Sequence, residues 1–253
     1  MSRKKVNKIS VVTITRGDGE LLCRNVDSVE MQKLPADIVV EHIIVDGNDS
    51  PDTPEVRYAA DHGCVILRRP PEGIYKAMND GLHAATGDVL ALLHGTDAYA
   101  DDGVIAAVAE AIDGADFVFG DIRYVSRGKL KRIYSAHGYR AEFLLNGFAP
   151  PHPSLFIRRE LAQSVGYYRQ DMRIAADYEY FVRIFFGSQK AEFCYVPRVI
   201  TLMDADGISS TLYSRIFTNS IEIRRSLRLN GLDISFWKLM TRYLYHFRKI
   251  CRK

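Results

Sequence analysis

The sequence predicts an α/β chain: a mostly parallel, doubly wound sheet, then an appended region and C-terminal helices. Three observations carry this. Short β-branched apolar runs recur five times before residue 121. Helical stretches lie between them. After residue 121 the alternation stops.

The run Ile9–Thr15 is nearly continuous in apolar and β-branched residues, as expected of a strand buried on both faces. Gly17 and Gly19 break it, and a helix is expected to about Gln32. Val40–Asp46 reads as the second strand, ended by Gly47-Asn48-Asp49-Ser50-Pro51. Cys64–Leu67 is a short third strand, closed by Pro70-Pro71. From Gly73 to Ala85, Ile74, Ala77, Met78, Gly81 and Leu82 share one helical face, and Gly87 stops the helix. Asp88–Leu93 is the fourth strand, followed by a helix over about 101–112. Asp116–Asp121 is the fifth. Ile122–Tyr134 reads as a hairpin turning at Arg127-Gly128. Pro150-Pro151-His152-Pro153 is a stiff loop leading into Ser154–Ile157, and Asp177 opens a helix to about Phe186.

Composition narrows the function. The chain has 253 residues, 47% hydrophobic and 26% charged, which excludes a collagen-like, disordered or disulfide-scaffold protein. No apolar run approaches the ~20 residues of a membrane span. The basic start is not followed by a signal core, and the four scattered cysteines (Cys23, Cys64, Cys194, Cys251) read as reduced thiols, so a cytoplasmic location is expected. Net charge is uneven. Residues 211–253 carry ten Lys/Arg against two Asp/Glu, while residues 1–210 carry 24 against 29. Such a tail prefers an anionic surface.

Ligands of an open α/β sheet bind at the carboxyl ends of its strands. Thr13, Thr15, Arg16, Asp46, the segment 68–75 and His94-Gly95-Thr96-Asp97 fall there. Hydroxyls, arginines and carboxylates together suit a nucleotide whose diphosphate carries a divalent cation. Arg16-Gly17-Asp18-Gly19-Glu20-Leu21-Leu22 imitates a dinucleotide fingerprint, but Leu22 replaces its third glycine and Asp18 and Glu20 would repel a pyrophosphate. No Gly-x-x-x-x-Gly-Lys-Ser/Thr loop exists.

Several blocks occur in a telling order. They are Ile9–Arg16, Ile44–Ser50, Gly73–Gly81, Leu92–Asp97, Gly120-Asp121, His152-Pro153-Ser154 and Ala176–Glu179. Over about residues 9–210 the chain resembles a family 2 glycosyltransferase. The resemblance implies a GT-A catalytic domain over 1–210, with a nucleotide-binding half to about 121 and an acceptor half over 122–210, leaving 211–253 as a basic helical tail. It implies an inverting transfer from a nucleotide-diphospho-sugar to a glycan or lipid-linked acceptor, in cell-envelope polysaccharide synthesis.

Residue by residue, the resemblance makes Asp97 the ligand of Mg²⁺ or Mn²⁺ on the diphosphate. Thr96 stands where the family has a preceding carboxylate. Asp46 would hold the base or ribose, and a carboxylate accepting an imide N–H favours UDP or dTDP; a turn-forming Asp before Gly47 is the plain alternative. Thr13, Thr15 and Arg16 would line the same pocket, unless Thr13 is simply a strand residue facing the core. Arg68 and Arg69 would meet base or diphosphate, or one of them only solvent. Pro71, Glu72 and Lys76 depart from the family pattern. Asp177 would be the base that deprotonates the acceptor hydroxyl, kept ionised by a helix N-terminus. Glu179, His152 and Asp121 would face the acceptor or diphosphate, with a structural histidine and a turn aspartate as the plain alternatives for the last two. Gly207-Ile208-Ser209 resembles a lid element, with Asp204 and Asp206 beside it.

Trp237, Met240, Leu244, Phe247 and Cys251 make an apolar helical stripe beside Lys238, Arg242, Lys249, Arg252 and Lys253, with Arg224, Arg225 and Arg228 upstream. This suits either peripheral attachment to the inner membrane face or packing on protein. Rival readings are a degenerate GT-A domain that binds without catalysis and a sugar-phosphate nucleotidyltransferase. A nucleic-acid-binding module is disfavoured by the acidic body.

Overall fold

Because Ile9, Val11 and Val12 have no exposure at all, the first strand must be covered on both faces, and the rest of the sheet is built around it. The computed structural model describes residues 4–50, 52–187, 190–205, 212–232 and 234, with the side chains of 212–219 left aside. The residues 206–211, 233 and 235–253 singled out above, including Asp206, the Gly207-Ile208-Ser209 element and the apolar stripe of the tail, lie outside the described residues.

Strand β1 (Lys8–Thr15) pairs in parallel with β2 (Val39–Asp46) and with β4 (Val89–Leu92), and β2 pairs in parallel with β3 (Val65–Arg68). Helices α1 (Glu20–Glu30), α2 (Pro54–Asp61) and α3 (Ile74–Ala84) connect them. The short β5 (Ala98–Tyr99) and helix α4 (Val104–Ile112) lead to β6 (Phe117–Ser126) and β7 (Lys129–Tyr134). Further on come β8 (Phe156–Arg158), α5 (Arg159–Val165), α6 (Ala176–Phe186), β9 (Phe193–Asp204) and α7 (Leu212–Leu229).

Among the described residues the sheet has nine strands, in the order β3-β2-β1-β4-β8-β6-β9-β5, with β7 attached to β6. The first four strands are parallel. The later part is mixed, because β8 runs antiparallel to both β4 and β6. Val12 and Val11 point to opposite faces, as strand alternation requires. Val11 belongs to a core with Ile9, Val29, Leu93, Val104, Val108 and Phe156. On the Val12 face, α3 approaches so closely that a Cβ on Gly81 would fall 2.3 Å from Val12 Cγ1. Leu22 and Val26 of α1 pack with Ile44 and Val56 in a second cluster.

The five expected strands and the hairpin are present. The fifth strand and the first hairpin arm are one strand, β6, and the hairpin turns on Arg127 and Gly128 with φ of 49° and 73°. The twelve-residue β9 had no counterpart in the sequence reading: Pro197 and Arg198 interrupt its apolar pattern, and register shifts against β6 accommodate the interruption.

The chain divides into two compact units. One takes in Met1–His137, Pro151–Tyr167 and Ala191–Ile208, and holds the whole sheet. The other takes in Gly138–Pro150, Tyr168–Lys190 and Ser209–Lys253. In the second unit, α6 buries Tyr178, Tyr180, Phe181, Val182 and Ile184, and the Tyr178 hydroxyl donates to the Leu144 carbonyl.

Candidate active site

A cavity of about 360 Å³ opens where β1, β2 and β4 end. Its polar wall is Thr15, Arg16, Asp18, Arg69, His94 and Thr96; Ile14, Val45, Pro70, Pro71 and Ile74 supply apolar surface. Such a half-apolar cleft with a few convergent polar groups is the usual form of a small-molecule site.

The segment 94–97 is held by β1 and α1. Gly95 N–H donates to the Ile14 carbonyl at 3.0 Å. Asn25, fully buried on the apolar stripe of α1, donates its amide to the carbonyls of His94 and Asp97, at 2.9 Å each. Arg24 donates to the Thr96 carbonyl at 2.7 Å. Sequence reasoning missed Asn25, although an amide within the stripe Leu22-Val26-Val29 is itself a signal of a buried polar task. It also gave Asp18 no part in this site. That carboxylate lies on the cleft wall, accepts the Thr15 hydroxyl at 2.7 Å, and leans over Gly95 so closely that a Cβ there would sit 2.2 Å from its Oδ2.

Asp97 is 2% exposed. Its Oδ1 accepts the Asp204 N–H at 3.4 Å, and its Oδ2 is buried with no protein donor. Burial pushes its carboxyl up to about 7; the nearby charges of Asp204 and Asp18 add to this, while Arg24 opposes it. A buried carboxylate oxygen lacking a donor fits a hard divalent cation, which takes oxygen ligands. Among the described residues the three-ligand cluster is elsewhere, at the exposed Asp27, Glu30 and His62.

The remaining expected residues separate into groups. Thr15, Arg16 and Thr96 line the cleft. Asp46 lies just behind it, between lining residues Val45 and Gly47; it is 1% exposed and accepts the Asn48 N–H and the Arg68 guanidinium, at 2.9 and 2.7 Å. Arg68 is therefore spent on Asp46, and of the two neighbours it is Arg69 that reaches the cleft wall, beside Arg16. Thr13 is corrected to a core residue: fully buried, it bonds Asn25 and His42. His152 meets the cleft residue His94 through Nε2···Nε2 at 3.1 Å. Burial holds both imidazoles low, near 4 for His152 and, with His152 adding to the effect, near 3 for His94. Both imidazoles are therefore held toward the neutral form. Asp121 braces the hairpin, its Oδ1 accepting Ser135 Oγ, Ala136 N–H and the Tyr195 hydroxyl at 3.0, 2.8 and 2.9 Å.

In the second unit, Asp177 stands in the first turn of α6, one residue inside the helix rather than at its cap. Burial pushes it up to about 6 against the pull of its own and Tyr178's backbone N–H groups, and Glu222 raises it further. Glu222 of α7 binds the turn before α6, accepting the N–H groups of Arg173, Ile174 and Ala175 at 2.8 Å each. Glu179 is corrected to a structural ion: 1% exposed, it is bonded to Arg183 and to Asn230.

Comparison with known proteins agrees with this architecture. The family described as "Glycosyl transferase family 2" matches residues 10–174. An uncharacterised glycosyltransferase of Mycobacterium tuberculosis is 33% identical over 182 residues, covering 69% of this chain and 68% of that one. A PGL/p-HBAD biosynthesis glycosyltransferase of Mycobacterium bovis is 27% identical, covering 78% and 79%. Among solved structures, S. aureus TarS 1-349 with UDP-GlcNAc superposes with a TM-score of 0.68 at 14% identity, covering 92% of this chain and 70% of that one. The chain spans 41% of the longer TarS chain. The mannosyltransferase PcManGT from Pyrobaculum calidifontis, in complex with GDP-Man and Mn²⁺, gives 0.60 at 18% identity, covering 92% and 66%. These likenesses show the GT-A fold.

Proposed function

The chain belongs to glycosyl transferase family 2, and from that premise we propose that it inverts the anomeric centre of a UDP- or dTDP-linked sugar while transferring it to a hydroxyl of a glycan or lipid-linked acceptor. One observation carries the donor side: a cleft at the ends of three parallel strands, lined by Thr15, Arg16, Arg69 and Thr96, with the buried Asp97 carboxylate next in sequence.

Arg16 and Arg69 neutralise the diphosphate of the donor. Thr15 and Thr96 offer hydroxyls to ribose or phosphate. Asp46, fixed by Arg68 and Asn48, keeps lone pairs for an imide N–H of the base. Asp97 would hold a divalent cation, with Asp18 replacing the carboxylate that Thr96 lacks; the cation would offset charge on the leaving diphosphate. Asp177 takes the proton of the acceptor hydroxyl. A carboxyl near 6 is better matched to that task than an ordinary aspartate, because it stays ionised at neutral pH while being more basic.

The test is a thermal-shift panel of UDP, dTDP and GDP with and without Mn²⁺. A nucleotide at a hundredfold excess over its Kd stabilises by ~2.7 kcal/mol, which moves Tm by several degrees in a chain of this size. A metal-dependent shift with UDP or dTDP supports the donor reading. No shift with any nucleotide would favour a domain that has lost donor binding.

A further inference from the structure

The β6–β7 hairpin carries a surface that donor chemistry does not use. Between Ile122 and His137 there are five cations, Arg123, Arg127, Lys129, Lys131 and Arg132, and no Asp or Glu. Among the described residues β7 pairs with β6 alone, and all of β7 but Tyr134 is exposed.

Plain alternation would set Leu130 and Ile133 on opposite faces. The ladder prevents this. Val125 faces Leu130 while Tyr124 faces Arg132, so Lys131 is the extra residue of a bulge, and Arg123 faces Ile133. Arg123 and Val125 share a face of β6, which brings Leu130 and Ile133 to that same face. They are 55% and 48% exposed. The other face is occupied: the Arg132 guanidinium lies over the rings of Tyr124 and Tyr134, at 5.5 and 5.8 Å.

Charge on an edge strand commonly serves only to prevent aggregation. Lysine is the commonest such charge, so Lys129 and Lys131 by themselves decide nothing. Five cations without a counter-charge in the segment, beside two apolar side chains on one face, are the composition of a surface that lies in a lipid interface. Asp204, in register with Val125 on β9, is the acid beside it, and it is half-buried. The placement suits the role. Since β8 is antiparallel to both β4 and β6, β6 runs parallel to β4. The hairpin therefore springs from the same edge of the sheet as the cleft.

We propose that the β6–β7 hairpin docks the enzyme on an anionic lipid surface, Leu130 and Ile133 entering the headgroup boundary, Arg123 meeting lipid phosphates from their own face and Arg127, Lys129 and Lys131 reaching them from the turn and the strand edge. This is independent of the donor assignment. It places the cleft edge toward an acceptor carried in that surface.

The full chain is sedimented with phosphatidylcholine vesicles with and without phosphatidylglycerol, at low and high salt. Binding is expected to the anionic vesicles alone and to weaken with salt. Leu130→Ser with Ile133→Ser should lower affinity about tenfold through lost apolar insertion. Lys129→Glu with Lys131→Glu should lower it at least about tenfold. Both variants should keep the parent's unfolding temperature, since all four side chains are exposed. Vesicle binding equal to the parent's in both variants would overturn the proposal and assign attachment elsewhere, the basic 211–253 stretch included. Hairpin-dependent retention of RNA without vesicle binding would also overturn it.

Discussion

Asp97→Asn should make the ligand-free protein more stable while removing cation-dependent donor binding. The magnitude follows from burial. In the unfolded chain an aspartate titrates near 4, whereas in the fold Asp97 is pushed up to about 7. That displacement is roughly 4 kcal/mol of unfavourable charge burial once the pH is above both values. The sign is opposite to that of a salt-bridged carboxylate. Between pH 4 and 7 the native state holds the proton that the unfolded state has released, so stability falls as pH rises, and the cost is complete above 7. An asparagine removes the charge but leaves an amide at a site with one weak backbone donor, which returns about 1–3 kcal/mol of the gain. The net expectation at pH 8 is a variant more stable by about 1–3 kcal/mol. Urea unfolding of both proteins at pH 8 and pH 5 measures it. The difference should shrink at pH 5, where the native aspartate is already protonated, and the variant should show no Mn²⁺-dependent shift with UDP. A variant no more stable than the parent at pH 8, or a difference that does not depend on pH, would refute the picture of an unpaired buried carboxylate held for a cation.

Two further outcomes are expected. Asp177→Asn should lower transfer by about 10²–10⁴-fold while leaving nucleotide shifts intact, and the parent's transfer rate should fall as pH drops through about 6. That fall is separable from unfolding, because a carboxyl raised by burial gains stability on protonation; a flat rate from pH 5 to 8 would exclude Asp177 as the base. Asn25→Ala should cost about 2–4 kcal/mol, since it strips donors from the His94 and Asp97 carbonyls and an acceptor from Thr13, and calorimetric UDP affinity should weaken with it. Unchanged affinity would mean that the 94–97 segment needs no support from α1.

Much of the first part of the chain, to about residue 121, was readable because its signals are local. A strand buried on both faces must be apolar throughout, and helices covering it must carry apolar stripes, so β1, β2, β4, α1 and α3 show in composition and period alone. β9 did not, because an irregular strand with Pro197 depends on a partner, β6, some seventy residues away. The same limit applied to the site. Asp18 was read as a repellent of phosphate from its sequence neighbours, whereas its place on the cleft wall depends on the bare backbone of Gly95. Thr13 and Glu179 looked available until the structure supplied Asn25, His42, Arg183 and Asn230 as partners.

What the sequence determined alone is therefore the class of fold, the family and the residue types gathered at the strand ends. These follow from periodicity and from ordered motifs, which need no third dimension. Which of two adjacent arginines faces the cleft, which carboxylates are already bonded, and that a bulge turns Leu130 to the face of Ile133 were decided only by tertiary structure. Such matters turn on partners far apart in the chain, on register and on approach within a few tenths of an ångström, and none of these leaves a trace in local composition.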